Sequence, residues 1–276
     1  MTSSNDSPSP GRLTALKECR YGKMLYLRQD KYVGRSLDVY GEFSFGESEV
    51  FSQVVKPNDV VVEVGANLGA HTVHLAKLVG PNGWVVAFEP QLVIFQLLCA
   101  NLALNELFNV HPHNAAVGSA PGTVKIPPLD YTVENNFGGL SLLTGNIGHD
   151  VPLVTLDSLS LPSLRLLKVD VEGMEAEVLA GARQTIGRHR PILYVENDRE
   201  DQSERIVTMI DELGYDMWWH MPAMFNPDNF AHNETNIFEN VVSVNLLCVP
   251  KERPMSITGL RKVTGPADRW HHRAKP

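Results

Sequence analysis

Short runs of β-branched residues alternate with helical patterns through the middle of this chain, and this alternation limits the folds open to it. The strand-like runs cover residues 60–64, 84–88, 110–113, 164–169 and 191–195. Helical patterns follow at residues 69–79, 91–104, 174–186 and 202–213. Strands that are separated by helices form a parallel sheet with helices on both faces. The sequence therefore predicts an α/β fold built on a doubly wound sheet.

Two further strand patterns, at residues 215–220 and 242–249, have no helical pattern between them. The segment 222–240 is instead rich in Asn, Pro and Phe. Consecutive strands joined without a helix indicate a hairpin, which places an antiparallel strand at the edge of the sheet. We therefore expect a seven-stranded, mostly parallel sheet with one antiparallel edge strand.

The two ends of the chain differ from the core. The first residues are polar and rich in Ser and Pro, so we expect a disordered leader at 1–20. Residues 21–55 have the pattern of a β-hairpin and a helix ahead of the core. Basic residues are frequent from 251 to 276, which predicts a solvated tail, with a weak contact to an anionic lipid or polymer as the alternative.

The main domain is expected to span residues 56–250. Within it, residues 118–160 have the pattern of an irregular β-rich insertion. Gly138, Gly139 and Gly145 interrupt regular structure there. We find no internal repeat, so the expected architecture is one domain with additions at both ends.

An acidic composition limits the partners of this chain. The formal net charge is -8 at pH 7, which disfavours the broad basic surface that nucleic-acid binding needs. No apolar run is long enough to span a bilayer, and the N-terminus lacks the basic and apolar regions of a signal peptide. The cysteines Cys19, Cys99 and Cys248 have no metal-binding spacing, and the last two lie in apolar runs that predict buried thiols. These features predict a cytoplasmic protein.

A glycine-rich turn follows the first strand of the core. Gly65 and Gly69 permit a tight turn and a close approach of a ligand to the backbone. The third position of the dinucleotide fingerprint is poorly matched, and an acid, Glu63, precedes the glycines. An acid at this place suits a ligand with an ammonium group, such as the methionine end of S-adenosylmethionine.

A second carboxylate, Glu89, ends the second strand about 20 residues after the glycines. A carboxylate at this position accepts hydrogen bonds from both hydroxyls of a ribose. Dinucleotides and S-adenosylmethionine both carry a ribose. Glu89 therefore predicts a nucleoside ligand without choosing between the two classes.

Polar groups also end the fourth and fifth strands. Asp170 closes the fourth strand, Glu172 follows two residues later, and Glu196 and Asn197 close the fifth. The carboxyl edge of an open α/β sheet is where such folds bind ligands. We therefore expect these four residues to lie at one ligand-binding edge.

A metal site at this edge is one hypothesis. If Asp170, Glu196 and Asn197 converge, their oxygens would suit Mg²⁺. The alternative, which we favour, is a metal-free site in which these groups contact the substrate. Glu175 and Glu177, in the helix that follows, are expected on an exposed face outside the site.

Several of these segments together resemble the FkbM family of methyltransferases. The resemblance runs from about residue 40 to 250, and its most specific part is Asp170-Val-Glu172-Gly with the helix after it. The other matching segments are Glu63-Val-Gly-Ala-Asn-Leu-Gly69, Phe88-Glu89-Pro90, Asn114-Ala-Ala-Val-Gly118, Val154-Thr-Leu-Asp-Ser-Leu159, Glu177-Val-Leu-Ala-Gly-Ala182 and Asn245-Leu-Leu-Cys-Val-Pro250.

The resemblance implies a Rossmann-like class I methyltransferase fold and the cofactor S-adenosylmethionine. It implies methylation of oxygen on a small-molecule or glycan acceptor: sugars, polysaccharides, glycolipids or polyketide products. It implies that the cofactor is contacted by Glu63, Gly65, Asn67, Gly69 and Glu89, and that Asn114 and Ala115 lie beside its adenine. It places Asp170 and Glu172 where the methionine moiety meets the substrate, as candidate catalytic residues.

The sequence leaves the general base open. Asp170, Glu172 or a metal can help to remove the proton of an alcohol. His71 and His74 begin the first core helix, where a histidine is more often structural. Aromatic and amide side chains from 218 to 240 are suited to binding a sugar, with an ordinary surface loop as the alternative.

Two rival functions are weighed against methyl transfer. A nicotinamide-dependent oxidoreductase is disfavoured by the glycine spacing and by the predicted hairpin at the end of the sheet. A methyltransferase-like fold that serves only as an interaction module is disfavoured because both glycines and all the strand-end acids are present. The sequence does not indicate an oligomeric state.

Overall fold

A β-hairpin and two helices precede the core in the computed structural model, which describes residues 13–140 and 148–271. The hairpin strands are β1 (Thr14–Cys19) and β2 (Gly22–Leu27), and the helices are α1 (Val33–Tyr40) and α2 (Phe45–Val54). Strand β1 falls within the segment that the sequence assigned to a leader. The hairpin therefore begins earlier than expected, and the rest of that segment, up to residue 12, lies outside the described residues.

The core alternates strands and helices as predicted. Its first half contains β3 (Val60–Val64), α3 (Ala70–Val79), β4 (Trp84–Phe88), α4 (Leu92–Leu104) and β5 (Val110–His113). After an insertion, its second half contains β9 (Leu166–Val169), α5 (Glu175–Ala180), α6 (Arg183–His189), β10 (Ile192–Glu196), α7 (Glu200–Glu212), β11 (Tyr215–His220), β12 (Asn245–Pro250) and β13 (Arg261–Lys262). The single helix predicted for 174–186 is two helices, because Asp157 accepts the N–H groups of Gln184 and Thr185 and so begins a new helix there.

These strands form an eight-stranded sheet within the described residues, in the order β13-β11-β12-β10-β9-β3-β4-β5. The central pairs are parallel, while β12 is antiparallel to both β10 and β11. The predicted fold class is confirmed, and two details were wrong. The long antiparallel strand lies between two parallel ones rather than at the edge. The edge strand, β13, is an eighth strand in the segment expected to be a tail.

Helices cover both faces of this sheet, as predicted. Adjacent residues of β3 show the alternation, since Val61 packs in one hydrophobic cluster and Val62 in the other. On the Val61 face lie Phe51, Leu75 and Leu98 from α2, α3 and α4. On the Val62 face lie Val178, Ile186 and Ile206 from α5, α6 and α7. Among the described residues no helix is long and apolar enough to cross a membrane.

The insertion forms a small sheet of its own. Its strands are β6 (Ala116–Val117), β7 (Gly122–Ile126) and β8 (His149–Val154), in the order β6-β8-β7. Gly145, one of the predicted breakers, lies in 141–147, outside the described residues. Cys248 in β12 is buried as expected, whereas Cys99 in α4 is only partly buried.

A buried asparagine fixes the N-terminal hairpin to the core. Asn101 in α4 is fully buried, and its Oδ1 accepts the N–H of Leu25 at 2.6 Å. Its Nδ2 donates to the carbonyl oxygen of Leu25 at 3.0 Å and to that of Leu68 at 2.8 Å. Leu68 belongs to the glycine turn after β3. One amide group therefore holds the hairpin, α4 and that turn together.

Candidate functional site

The carboxyl ends of β3, β4, β9 and β10 meet at a cavity of about 360 Å³. This is the size range of small-molecule sites, at the edge where open α/β sheets bind ligands. The residues that line it include Glu63, Gly65, Ala66, Asn67, Glu89, Pro90, Ala115, Lys168, Asp170, Glu172, Glu196 and Asp198. Polar groups predicted from separate segments of the sequence are thus brought together in one cavity.

The glycine turn is shaped by the strand beside it. Gly65 has φ 84°, and a Cβ added there would overlap the backbone oxygen of Asp170. The N–H groups of Gly65 and Ala66 both donate to the carbonyl oxygen of Phe88, at 3.0 and 2.9 Å. Gly69 has φ 92°, and a Cβ there would lie 2.7 Å from Leu98 Cδ1. The turn therefore needs glycine at Gly65 to fit against β9.

Glu63 presents an unpartnered oxygen at the cavity. The side chain is 1% exposed, and its Oε2 accepts the hydroxyl of Thr72 at 2.6 Å. Oε1 accepts no hydrogen bond from the described residues, and the nearest cation, Lys168 Nζ, is 3.8 Å away. Burial raises the pKa of this carboxyl. A buried carboxylate oxygen without a donor can bind a positively charged ligand group.

Glu89 is held by the backbone on both of its oxygens. Oε2 accepts the N–H of Asn67 at 3.0 Å, and Oε1 accepts the N–H of Gln91 at 2.8 Å. Burial raises the pKa of Glu89 to about 7, although these two N–H groups act in the opposite direction. Asn67, in the left-handed region at φ 51°, thus turns its N–H toward the acid of the neighbouring strand.

The predicted adenine contacts have different positions. Asn114 donates from Nδ2 to the carbonyl oxygens of Glu89 and Pro90, at 2.9 and 3.0 Å. Its side chain therefore holds the loop after β4 and is not among the cavity-lining groups. Ala115 does line the cavity, together with Ala116 and Val117.

A buried lysine supports the acidic edge. Lys168 in β9 is 2% exposed and donates from Nζ to Asp170 Oδ2 at 3.0 Å. The negative charges of Asp170 and Glu63 raise the pKa of Lys168, although burial acts against it. The sequence analysis missed this residue. Its signal was a charged side chain inside an apolar strand, which requires a partner of opposite charge.

The loop after β9 fixes Glu172 over the cavity. Glu172 has φ 56°, and its Oε2 accepts Nη2 of Arg199 at 2.9 Å. Burial and the nearby Asp170 raise the pKa of Glu172 to about 7. Oε1 of Glu175 accepts the N–H groups of Val171 and Gly173, both at 3.1 Å, and so braces the loop from below.

The expectation that Glu175 and Glu177 lie on one exposed helical face was wrong for Glu175. Glu175 is 3% exposed and turns back onto the loop before its helix. Glu177 is partly exposed and pairs with Arg205 at 2.7 Å on the surface. Glu175 thus supports the loop that carries Glu172, and Glu177 does not.

Two of the three groups of the magnesium hypothesis line the cavity, and the third does not. Asp170 and Glu196 line the cavity. Asn197 is 1% exposed, and its Nδ2 donates to Ser203 Oγ at 3.0 Å, away from the cavity-lining groups. Within the described residues no group of three or more His, Cys, Asp or Glu side chains is arranged to hold a metal ion.

The two histidines of α3 have separate surroundings. His71 lines the cavity, with Nε2 3.3 Å from Glu47 Oε2. Burial acts against ionisation of Glu47, but its contacts with His71, Lys168 and Ser243 together outweigh burial and lower the pKa of Glu47 to about 2. His74 stacks on Tyr21 at 3.8 Å between ring centres and is absent from the cavity lining, as expected of a structural histidine.

The segment between β11 and β12 contributes an apolar wall. Met224, Val241 and Val242 line the cavity there. The amides proposed for sugar binding are used inside the segment, since Asn229 bonds to the carbonyl oxygen of Asn233 and to its N–H. Trp218 and Trp219 do not line the cavity. The contacts therefore do not match the sugar-stacking surface that the residue types indicated.

Three known proteins are similar to this chain. Methyltransferase sdnD of Sordaria araneosa is 27% identical over 212 residues, covering 63% of this chain and 80% of that protein. Hexuronic acid methyltransferase AglP of Haloferax volcanii is 30% identical over 155 residues, covering 49% and 56%. AMB antimetabolite synthetase AmbE of Pseudomonas aeruginosa is 28% identical over 219 residues, covering 64% of this chain but 10% of that protein.

A solved structure and a family assignment complete the comparison. The crystal structure of methyltransferase FkbM from Methylobacillus flagellatus has 16% identity and a TM-score of 0.45, and the match covers 79% of this chain and 55% of that one. Residues 63–217, more than half of this chain, match the methyltransferase FkbM domain. This range contains the glycine turn, Glu89 and the acidic loop after β9. The chain belongs to the FkbM methyltransferase family.

Proposed function

We propose that this protein transfers the methyl group of S-adenosylmethionine to a hydroxyl of a sugar, glycan, glycolipid or natural product. One observation carries the proposal: two buried carboxylates, Glu63 and Glu89, flank the glycine turn at the ends of neighbouring strands and both line the cavity. The family supports methyl transfer, and relatives named as a methyltransferase and a hexuronic acid methyltransferase support the acceptor class.

The residues present fit the cofactor. The unpartnered Oε1 of Glu63 suits its ammonium group, and Glu89 keeps lone pairs for ribose hydroxyls beyond its two backbone bonds. Pro90 and Ala115 provide apolar surface for a flat ring between them and the turn. S-adenosylmethionine would supply an electrophilic methyl group on a positively charged sulfur.

The acidic edge serves the acceptor in this proposal. Asp170 is held by Lys168, and Glu172 by Arg199, so both carboxylates are fixed before a substrate enters. Fixed carboxylates orient an acceptor hydroxyl and weaken its O–H bond. The leaving group of a sulfonium is neutral, so alignment of the acceptor is the main task of these side chains.

The partners follow from the same features. We propose a small-molecule or glycan acceptor and no nucleic acid, because the chain carries a net charge of -8 and the cavity is lined by carboxylates. We also propose that it acts in the cytoplasm.

Calorimetric titration separates the proposal from its rivals. We expect S-adenosylmethionine to bind and NAD not to bind, and Glu89→Ala to weaken binding by about 1–3 kcal/mol because a charged acceptor is lost. Glu134→Ala, an exposed acid outside the cavity, is the matched control. Tight binding of NAD alone would support the oxidoreductase. Binding of neither would support the interaction module.

Transfer to oxygen needs a second assay. The protein is incubated with methyl-labelled S-adenosylmethionine and fractions of a cell extract, and labelled products are then treated with mild alkali. Methyl ethers survive this treatment, whereas methyl esters release labelled methanol. Alkali-stable label on a hydroxyl compound is the expected result, and label only in esters or amines would contradict the proposed acceptor group.

A further inference from the structure

Two carboxylates at the acidic edge of the cavity are each bonded to a cation. Asp170 accepts from Lys168 at 3.0 Å, and Glu172 accepts from Arg199 at 2.9 Å. Glu47, at the far side, lies 3.3 Å from the ring of His71. A carboxylate that is paired with a cation is a weaker base, because the cation stabilises its ionised form.

Glu196 differs from all of these. It closes β10 and lines the cavity, yet its Oε2 is buried and accepts no hydrogen bond from any described residue. Asn245, its neighbour across the sheet, directs its amide to Glu47 at 3.3 Å and makes no hydrogen bond to this oxygen. Glu196 therefore brings to the wall of the cavity a carboxyl group with one buried oxygen that has no donor among the described residues.

The groups around Glu196 are acidic on every side. Asp170 and Glu172 face it from the loop after β9, Glu175 from α5, and Asp198 from its own loop. The nearby cations pair with other acids, since Lys168 Nζ bonds to Asp170 and Arg199 Nη2 bonds to Glu172. Burial first, and then these negative charges, raise the pKa of Glu196 well above its ordinary range. Both effects favour the protonated form of Glu196 when no ligand is bound.

We propose that Glu196 is the general base of methyl transfer, and that entry of the positively charged cofactor causes it to release its proton and become active. The inference rests on the proposed function. A positive charge in this cavity favours the ionised carboxylate, as Lys168 does for Asp170. The same charge has no such effect once the methyl group has left, since the sulfur is then neutral.

Methyl transfer moves one methyl group and one proton. The acceptor oxygen forms a bond to the methyl carbon, and its proton passes to the ionised Oε2 or Oε1 of Glu196. The electron pair of the broken carbon–sulfur bond stays on sulfur. Glu196 ends the cycle protonated, in the form that its burial favours.

The release of protons when the cofactor binds tests this role of Glu196 without a methyl acceptor. S-adenosylmethionine and S-adenosylhomocysteine are titrated into the protein by calorimetry at neutral pH, in buffers with different ionisation enthalpies. We expect the charged ligand to release more protons than the neutral one. Glu196→Gln should still bind both ligands and should abolish the difference. Glu177→Gln, on the surface and paired with Arg205, should leave it unchanged.

Each other outcome decides the question. Equal proton release by both ligands in the unaltered protein overturns the inference and leaves the proposed function intact. A difference that persists in Glu196→Gln and disappears in Glu172→Gln assigns the proton to Glu172 and also overturns it. Failure of S-adenosylmethionine to bind overturns the proposed function and this inference with it.

Discussion

Nζ of Lys168 lies 3.0 Å from Oδ2 of Asp170 and is almost completely buried, so the acidic edge of the cavity rests on an internal ion pair. Glu63 shares the same ammonium at 3.8 Å. Two strand-end acids on neighbouring strands therefore depend on one lysine.

Replacing this lysine should destabilise the fold strongly. Lys168→Met leaves the buried Glu63 without its cation, and breaking a buried pair costs about 3–5 kcal/mol. Asp170 also loses its partner, but it is 36% exposed and solvent compensates for much of that loss. Urea unfolding measures the change. Lys56→Met, at an exposed position, is the control and should alter stability by less than about 0.5 kcal/mol. An equal effect of the two substitutions would show that the pair is not stabilising.

Two neighbouring acids of α5 should behave differently. Glu175→Gln removes one acceptor oxygen from the loop N–H groups, and we expect a loss of about 1–3 kcal/mol in the free energy of unfolding. Glu177→Gln removes only a surface pair and should cost about 0–1 kcal/mol. Urea unfolding of both variants checks the order, and the reverse order would contradict the bracing role.

Gly65 should tolerate no side chain, for a reason that the sequence did not reveal. From the sequence, glycine at this position was explained by the close approach of a ligand to the backbone. In the structure, a Cβ at Gly65 would first overlap the backbone oxygen of Asp170. Gly80 also has a positive φ, yet a Cβ there meets nothing within 4 Å. We expect Gly80→Ala to cost about 1–3 kcal/mol and Gly65→Ala to cost more than that. Thermal unfolding compares them, and a smaller loss for Gly65→Ala would be inconsistent with the geometry.

Stability should fall as the pH rises through the titration of Glu89. The folded protein raises the pKa of Glu89 from 4.5 to about 7, so between these values it binds a proton that the unfolded chain has released. Stability from this group is therefore greatest below about pH 4.5 and is lost as the pH approaches about 7. Glu89→Gln should flatten this fall in unfolding measured at about pH 5 and about pH 8, and Glu134→Gln should not. An unchanged slope in Glu89→Gln would show that Glu89 titrates normally.

Magnesium should not stabilise the protein. Asn197 does not line the cavity, and Asp170 already has Lys168 as its cation, so we expect the metal-free site. Thermal unfolding with Mg²⁺ and with EDTA should give the same midpoint. A rise with Mg²⁺ that disappears in Asp170→Asn would restore the metal hypothesis.

The sequence predicted the elements of the core well because their signals are local. The run of valines in β3 and the glycines after it need no tertiary information. The position of β12 was not predictable in the same way. Two consecutive strands without a helix between them can place the second strand either at the edge of the sheet or one position inside the edge. Only the pairing of β12 with β10 decides between these two positions.

The sequence predicted which residues line the site better than it predicted the contacts that these residues make. Glu63, Glu89, Asp170 and Glu172 all reach the cavity, since strand ends place them there. The inward turn of Glu175 depends on the backbone conformation of the loop before it, which helical periodicity does not contain.

Strand β12 also sets a limit on how this protein can be made. It fills the gap between β10 and β11, although it follows them by an extended segment of chain. Until residue 250 has been synthesised and released, β10 and β11 each present an open, hydrophobic edge to the crowded cell. Synthesis of this chain therefore has a late interval in which its sheet is incomplete and open to aggregation, and that interval ends only when β12 inserts between β10 and β11.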